Sequence, residues 1–205
     1  ENTCNKGGGA IYEVEALNEI SKVCKENDLK LHLDGARFFN ALTASKTKLE
    51  DYHNLFDSIS ICLSKGLGAP IGSVLIGNKA FIKRARKVRK AFGGGMRQVG
   101  ILAAAGLYAL ENNVALLKKD HQNAKTIAAS IENLSFIKRV VAPQTNILLF
   151  DLIDEVKVVD FIEYLKQNNV LAVQFGPQTI RLVTHLDINE NDVIEVCKVF
   201  KKFEF

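Results

Sequence analysis

The sequence predicts an α/β protein in which a mostly parallel sheet is followed by a smaller two-layer α/β domain. One observation is that short, apolar, β-branched runs alternate with segments of helical periodicity through residue 133. Another is the series of strand pairs and helices from residue 134 onward. Because strands joined by helical crossovers form parallel sheets covered on both faces, we expect such a sheet in the first part. The chain is therefore divided into part of a large domain, residues 1–133, and a small C-terminal domain, residues 134–205.

The first domain is predicted to contain three strands and four helices. An amphipathic helix over 13–28 opens it, because apolar residues recur there at helical spacing. Short apolar runs rich in β-branched residues predict strands at 30–33, 57–63 and 73–77. The remaining helices are a basic one, a small-residue one and a third that leads out of the domain, at 79–91, 97–111 and 113–132.

The second domain is predicted to contain four strands and two helices. The strands are expected at 136–141, 146–151, 170–174 and 180–184. The helices are expected at 157–168 and 190–203. Strand pairs with helices on one side of them form a two-layer α/β structure.

A carboxylate and a lysine follow two neighbouring strands of the first domain. Asp34 comes after Leu31–Leu33, and Lys65 comes after the apolar run Ser58–Leu63, each with glycine directly behind it. Burial disfavours an ammonium group, and a lysine held neutral in this way is a nucleophile for carbonyl compounds. Ligands of parallel sheets bind at the carboxyl ends of the strands. Taken alone, Lys65 is typical of a solvated loop and Asp34 of a turn. Together they are typical of a pyridoxal phosphate (PLP) site, where lysine holds the aldehyde and aspartate the pyridinium nitrogen.

Four segments resemble the low-specificity L-threonine aldolases, in the order in which that family carries them. His32–Ala41 is similar to the aspartate segment of the family, and Ile61–Ser73 is similar to its Schiff-base lysine segment. Gly93–Gln98 and Arg181–Asp187 match two further blocks. This resemblance implies the PLP fold type I, which is the aspartate aminotransferase-like fold.

The resemblance also implies roles for the residues that hold the cofactor. Lys65 is expected to form the Schiff base, and Asp34 to stay ionised against the pyridinium nitrogen. Arg37 is expected to reach the ring hydroxyl oxygen. Lys90 and Arg97, which flank a triple glycine, are expected to face the cofactor phosphate region.

On the substrate side, the resemblance implies that Arg181 grips the α-carboxylate through a bidentate pair. The implied reaction is retro-aldol cleavage of L-threonine or L-allo-threonine to glycine and acetaldehyde. The family implies a homodimer or homotetramer. Two alternatives stay open, namely another fold type I lyase that performs β-elimination, and a catalytically incomplete or non-catalytic partner domain.

The start of the chain bears on the second alternative. In the aldolases a segment like Glu1–Asn5 lies well inside the large domain, usually with histidine where Cys4 stands. We therefore expect this chain to be the C-terminal half to two-thirds of a longer protein. A turn that holds the cofactor phosphate and an aromatic residue that stacks on the ring are expected in the part before Glu1.

Charge and composition limit the other function classes. Between Asp57 and Glu111 there are nine basic residues and no acidic one, and seven of them lie in 79–90. A solvated helix face is the favoured interpretation of most of these. A net charge of +4 without interleaved aromatic residues argues against nucleic-acid binding. The content of 47% hydrophobic and 24% charged residues is ordinary for a globular protein, and no apolar run approaches the ~20 residues that span a bilayer.

Cysteine and histidine residues complete the sequence predictions. The cysteines are scattered without metal-ligand spacing, which favours reduced thiols and the cytoplasm: Cys4, Cys24, Cys62 and Cys197. His32 is expected to share a strand face with Asp34. His53 and His121 are expected at the surface, and His185 is expected to be structural.

Overall fold

The computed structural model describes residues 1–205 and divides the chain into two compact units. Unit 1 comprises Glu1–Thr3 and Ile11–Ala115, and unit 2 comprises Cys4–Ala10 and Leu116–Phe205. This division falls earlier than the domain limit predicted after residue 133, because the helix over Leu117–Ile131 packs into the core of unit 2. The domain limits of a complete enzyme stay a prediction.

Unit 1 contains four α-helices and three strands, and all of them except the helix over Phe38–Ser45 lie close to predicted positions. The helices are α1 (Val14–Glu26), α2 (Phe38–Ser45), α3 (Lys79–Ala91) and α4 (Gly100–Asn112). The strands are β1 (His32–Gly35), β2 (Ser58–Cys62) and β3 (Ser73–Gly77). A 3-10 turn over Leu49–Tyr52 lies between α2 and β2. The strand β1 begins two residues later than predicted, so that Asp34 lies inside it.

The sheet of unit 1 has the order β1-β2-β3. The strands β1 and β2 are parallel, as the helical crossover between them predicts, with Asp34 opposite Ser60. The strand β3 is antiparallel to β2. A loop, rather than a helix, joins β2 to β3, and such a connection returns the chain in the opposite direction. The α/β class is confirmed, and the sheet is mixed within this chain.

The two faces of the β1/β2 pair differ in polarity. Leu33 and Ile61 point into a core formed with α1, α2 and the 3-10 turn, whose other buried members are Leu17, Phe38, Tyr52 and Leu55. His32, Asp34, Ser58 and Ser60 alternate with these apolar residues and therefore point to the opposite face. The apolar face packs in the core and holds the strands in place, and the polar face is available for binding or catalysis.

Asp57 ties β1 to the start of β2. Its backbone N–H donates to the Leu31 carbonyl at 2.8 Å, and its Oδ2 accepts from the backbone N–H of Leu31 at 2.9 Å. The Nζ of Lys30 lies 3.2 Å from its Oδ1. The bond from the Leu31 backbone, followed by the one from Lys30, holds the pKa of the Asp57 carboxyl below its usual range. These bonds fix the register that brings the carboxyl ends of β1 and β2 to the same edge.

Unit 2 is a two-layer α/β structure, as predicted. Its helices are α5 (Leu117–Ile131), α6 (Val158–Gln167) and α7 (Glu190–Lys201), and a 3-10 turn over Val114–Leu116 precedes α5. Its strands are β4 (Ile137–Val141), β5 (Ile147–Leu152), β6 (Val173–Gln174) and β7 (Thr179–Val183). They form an antiparallel sheet of order β4-β5-β7-β6.

The core of unit 2 lies between this sheet and its three helices. Alternate residues of β5 and β7 point into it, including Phe150 and Ile180, which are fully buried. Phe161 of α6 and Phe200 of α7 meet the Phe150 ring with centroids 6.3 and 5.5 Å apart. Aromatic rings bury large apolar areas, so this cluster fixes the helices on one face of the sheet.

The prediction for His121 is wrong, whereas His53 lies at the surface as predicted. His121 is only 6% exposed, because α5 buries a wide face that also carries Leu117, Ala124 and Ala128. Burial, helped by the charge of Lys125, lowers the pKa of His121 to about 4. Its neighbour Asp120 is 2% exposed, and burial raises the pKa of its carboxyl to about 6.

No single helix of residues 1–205 has the length and apolarity needed to cross a membrane, and only the broken pair Gly100–Asn112 and Val114–Ile131 meets those criteria when taken together.

Candidate active site

Asp34 presents its carboxylate at the carboxyl end of β1. Its side chain is exposed on the polar face of the sheet. Oδ1 accepts a hydrogen bond from the backbone N–H of Ala36 at 3.0 Å. The Asp34 carbonyl accepts from the backbone N–H of Asn2 at 3.0 Å. One carboxylate oxygen and the strand end are thus both held by backbone donors.

His32 supports this polar face, on the side of the sheet that alternation predicted. Its Nδ1 is hydrogen-bonded to the Ser58 hydroxyl at 2.8 Å, and its Nε2 lies 3.4 Å from the Ser60 hydroxyl. Ser60 is the register partner of Asp34. Since both ring nitrogens have partners on β2, His32 cross-links the two strands next to Asp34.

Lys65 lies in a tight loop directly after β2. The backbone N–H of Gly68 donates to the Lys65 carbonyl at 2.8 Å, and the N–H of Ala69 donates to the Leu63 carbonyl at 3.0 Å. Gly68 has a φ of +73°, a conformation that glycine adopts readily. The Gly-Leu-Gly sequence after the lysine therefore closes the chain back onto the end of β2.

Gly66, Leu67 and Ala69 of this loop are buried, and the lysine side chain is not. Leu67 is 4% exposed, and its carbonyl accepts from the side-chain amide of Asn113 at 2.8 Å. Lys65 itself is exposed. The expectation that burial of the strand end would also bury the ammonium group is therefore wrong for this chain, because the anchored loop directs the side chain to solvent.

The structure brings Arg37 to the lysine loop. Arg37 directly precedes α2 and is half-buried. A narrow cleft of about 10 Å³, roughly the room of one water molecule, is lined by Ala36–Asn40 on one side and by Cys62, Gly66 and Leu67 on the other. Arg37 and the segment that carries Lys65 therefore share one cleft at the carboxyl edge of the sheet.

Lys90 and Arg97 lie on either side of the glycine loop that follows α3. Lys90 is in the last turn of the helix, and both side chains are exposed. The backbone N–H of Gly93, which has a φ of +78°, donates to the Lys90 carbonyl at 3.1 Å. No residue of α3 is buried, in agreement with the solvated face predicted for its basic residues. The structure records no hydrogen bond between Lys90 or Arg97 and the residues around Asp34 and Lys65.

Arg181 is the candidate site residue of unit 2. It lies on β7 opposite Leu149, and its Nη1 donates to Asn5 Oδ1 at 3.0 Å. Its guanidinium carbon lies 5.1 Å from the centroid of the Phe175 ring. The buried Nε has no hydrogen-bond partner. Guanidinium carries five N–H donors, so this side chain is held in place with donors left for an anion.

Sequence reasoning missed the contacts of Asn5 and Phe175 with Arg181. The sequence feature that could have indicated these contacts is the glycine run Gly7–Gly9, which permits a close approach between backbone segments. A hydrogen bond across 176 positions leaves no trace in local periodicity. His185, four residues after Arg181, is exposed, and its Nδ1 lies 3.4 Å from Asp187 Oδ2; its structural role stays a prediction.

Comparison with known proteins now assigns the chain to a family. The family model described as "Beta-eliminating lyase" matches residues 1–154. The chain belongs to the beta-eliminating lyase family.

Within that lyase family, the chain is similar to threonine aldolases. It is 45% identical to the low specificity L-threonine aldolase of Escherichia coli K12, over 99% of this chain and 59% of that protein. It is 40% identical to the probable low-specificity L-threonine aldolase 2 of Arabidopsis thaliana, over 98% of this chain and 58% of that protein. The resemblance predicted from four segments is therefore confirmed, and the chain spans about three-fifths of the length of these relatives.

A solved structure extends the likeness to the fold. The chain matches the threonine aldolase of Leishmania major with a TM-score of 0.77 and 26% identity, over 95% of this chain and 58% of that one. The PLP fold type I prediction is confirmed for the part of the fold that this chain carries.

The beta-eliminating lyases are PLP enzymes, and the residues present fit two of the polar groups of that cofactor. A carboxylate on β1 suits a pyridinium nitrogen, and an amine just beyond the parallel neighbour β2 suits an aldehyde. Both lie at the carboxyl edge, where ligands of parallel strands bind. The chemistry of the donor set therefore fits PLP.

Proposed function

We propose that this chain carries the PLP site of a carbon–carbon lyase that cleaves L-threonine and L-allo-threonine to glycine and acetaldehyde. The observation that carries the proposal is the placement of Asp34 and of the Lys65 loop at the ends of adjacent parallel strands. Similarity to low-specificity L-threonine aldolases supports the choice of substrate.

The proposed cofactor contacts follow from the charges of the side chains. The amine of Lys65 would hold the aldehyde carbon, and the Asp34 carboxylate would pair with the ring nitrogen. Arg37, in the cleft next to the lysine loop, would donate to the ring hydroxyl oxygen. Lys90 and Arg97 would face the phosphate. Bound PLP supplies an electron sink for the electron pair released at the substrate Cα.

The remaining tasks belong to the polypeptide. Arg181 would bind the substrate α-carboxylate through two parallel N–H bonds, which fixes the orientation of Cα. Asp34, held by the Ala36 N–H, would keep its charge against the ring nitrogen. His32 would hold β2 against β1, so that the strand ends keep their spacing. In the cleavage, the β-hydroxyl proton would pass to a base or water as the Cα–Cβ bond breaks and acetaldehyde leaves, and Cα would then take up a proton to give glycine.

Product identity tests this proposal against a second candidate. The family description names β-elimination, which would convert threonine to a keto acid and ammonia instead. The chain with added PLP and L-threonine is expected to form acetaldehyde, measured by reduction with NADH and alcohol dehydrogenase. The variant Lys65→Arg should abolish product, whereas the exposed control Lys79→Arg should not. Keto acid in place of acetaldehyde would contradict the aldolase function.

The third candidate is a catalytically incomplete domain, which the partial coverage of the relatives supports. If the chain with PLP gives neither product, a full-length protein that contains this chain should give acetaldehyde in the same assay. That result would reject activity of the isolated chain and would support the aldolase function of the full-length protein.

Assembly and location are proposals of the same kind. We infer a homodimer or homotetramer, because unit 1 exposes large apolar side chains: Phe92 is 87% exposed, Ile101 75% and Tyr108 64%. Apolar patches of this kind mark protein–protein interfaces.

We infer a cytoplasmic location, because all four cysteines are free.

A further inference from the structure

The first half of helix α3 presents a row of cations to solvent. Lys79, Lys83 and Arg86 recur at the spacing i, i+4 and i+7, so they lie on one face of the helix. All three side chains are exposed. Because an α-helix rises about 1.5 Å per residue, the three charges are spread over about 10 Å of the helix axis. These three residues are called the cation row of α3.

A groove lies beside the cation row. It has a volume of about 410 Å³ and is lined by the three cations together with Gly77 and Ile82. The Asn78 side chain caps the helix by accepting from the backbone N–H of Phe81 at 2.9 Å. Gly77 lies so close to the Phe81 ring that a Cβ there would be 2.7 Å from it. The first turn of α3 is therefore fixed against the end of β3, and the groove has a defined shape.

No carboxylate of residues 1–205 forms an ion pair with the cation row. The ion pairs of the structure all involve other cations, and the range 58–110 contains no acidic residue. Asp57 lies next to Gly77, since its carbonyl oxygen is 3.4 Å from the position of a Cβ there. Its carboxylate is already engaged, because it accepts from the Leu31 N–H at 2.9 Å and pairs with Lys30 Nζ at 3.2 Å. Like charges at i and i+4 destabilise a helix, so a bound anion would relieve the repulsion within the row.

We propose that the groove beside the cation row binds a linear chain of phosphate groups, either as free polyphosphate or as the phosphate chain of a nucleoside triphosphate. Ammonium and guanidinium groups are the donors that bind phosphate oxygens, and three of them in one row suit several closely spaced negative charges. No aromatic residue lines the groove, so it offers no surface on which a base could stack. Recognition therefore depends on the phosphates and not on the base.

This site is separate from the one proposed for PLP. Lys90, which is proposed to face the cofactor phosphate, lies in the last turn of α3, about 16 Å along the helix axis from Lys79. All residues of the groove belong to α3 and the end of β3. The inference therefore goes beyond the aldolase function and does not rest on it.

Calorimetric titration of the full 205-residue chain tests the site, at about 150 mM NaCl and without divalent cations. Wild type is expected to bind tripolyphosphate at least about tenfold more tightly than orthophosphate, because only the chain of phosphates reaches all three cations. ATP and GTP should bind within about twofold of each other, because the base makes no stacking contact. Affinity for ATP equal to that for tripolyphosphate would identify a nucleotide as a suitable ligand, whereas weaker binding of ATP would identify free polyphosphate.

Single variants locate the binding on the helix. Lys83→Gln should weaken the binding of tripolyphosphate by at least about fivefold, and Lys83→Arg should keep it within about twofold, because the charge is retained. Arg84→Gln is the matched control, since it makes the same charge change at the next residue, whose side chain points about 100° away around the helix axis. That variant, and Lys90→Gln at the other end of α3, should each change the affinity by less than about twofold.

Several results would overturn the site. Equal affinities of the wild type for tripolyphosphate and orthophosphate would do so, and so would equal losses in Lys83→Gln and Arg84→Gln. A loss in Lys90→Gln without one in Lys83→Gln would place the phosphate chain elsewhere. Binding of a longer RNA strand without binding of tripolyphosphate would show only a general attraction to polyanions. None of these titrations contains PLP or threonine, so their outcome is independent of the acetaldehyde assay.

Discussion

At the scale of single residues, the proposed chemistry depends on a negative charge and an amine placed by two short strands. Asp34 is fixed by one bond from Ala36 and by the bond of its own carbonyl to Asn2. Lys65 is placed by a loop whose backbone is closed on itself, while its side chain is exposed. The carboxylate is therefore more tightly constrained than the amine, and its charge can be tested without disturbing the fold.

Asp34→Asn is expected to lower kcat/KM for threonine by at least about 100-fold in the full-length protein, because the amide cannot pair as an anion with the ring nitrogen. Asparagine keeps the oxygen that accepts from the Ala36 N–H, so the melting temperature should change little. Steady-state kinetics and thermal unfolding measure the two effects separately.

Ser60→Ala is the matched control for this prediction. Ser60 faces the same side of the sheet and contacts His32 only at 3.4 Å, so its loss should cost less than about tenfold in activity. Equal losses in Asp34→Asn and Ser60→Ala would contradict a specific role for the charge.

At the scale of elements, the turn Cys4–Ala10 and the helix α5 carry the least expected features. The turn needs glycine where it meets the sheet, because Gly8 and Gly9 have φ values of +70° and +78° and no room for a side chain. Helix α5 buries two adjacent titratable residues, Asp120 and His121, with pKa values displaced in opposite directions.

Gly9→Ala is expected to destabilise the protein by about 1–3 kcal/mol, because the positive φ is strained and the new Cβ would collide with the Thr145 hydroxyl. Gly7→Ala is the matched control, since its φ is not positive and its nearest neighbours would lie at an ordinary 3.5 Å. Urea unfolding measures both variants. Equal unfolding free energies for Gly9→Ala and Gly7→Ala would contradict the close contact of this turn with the residues of unit 2.

The displaced pKa values of Asp120 and His121 should each change how the unfolding free energy depends on pH, and single variants separate the two contributions. The contribution of Asp120, whose folded pKa is raised from 3.8 to about 6, is complete below about pH 4 and is lost as the pH rises through 6. The contribution of His121, whose folded pKa is lowered from 6.5 to about 4, is complete above about pH 6.5 and is lost as the pH falls through 4. The two effects oppose each other in the wild type.

Because the two effects largely cancel in the wild type, Asp120→Asn should produce a rise in unfolding free energy between pH 4 and 6.5, and His121→Gln should produce a fall. Each change is at most about 3 kcal/mol over this window. Urea unfolding at a series of pH values measures the slopes. Parallel profiles for the wild type and both variants would show that neither group is buried as described.

The elements also show what sequence patterns can and cannot predict. Every predicted helix and strand has a counterpart, because periodicity and strand composition depend on local burial. The burial of His121 was missed because eight of the fifteen residues of α5 are buried, His121 among them. The pairing of Asn5 with Arg181 was missed because a contact between distant segments is set by the tertiary fold.

At the scale of the whole molecule, the two units carry different parts of the proposed chemistry. Unit 1 presents the polar face of β1 and β2 with the lysine loop, and unit 2 presents Arg181 on an antiparallel sheet. Membership of the beta-eliminating lyase family covers residues 1–154 and so includes Asp34 and Lys65. Arg181 lies outside that match, and its proposed role rests on its position beside Asn5 and Phe175.

Lys65 is the residue that we propose to hold PLP. The most direct test is borohydride reduction of the purified 205-residue chain with PLP, followed by peptide mass mapping. A pyridoxyl group on Lys65 alone, absent from Lys65→Arg, is the result that we predict. Labelling spread over the exposed lysines, or unchanged in Lys65→Arg, would contradict the claim.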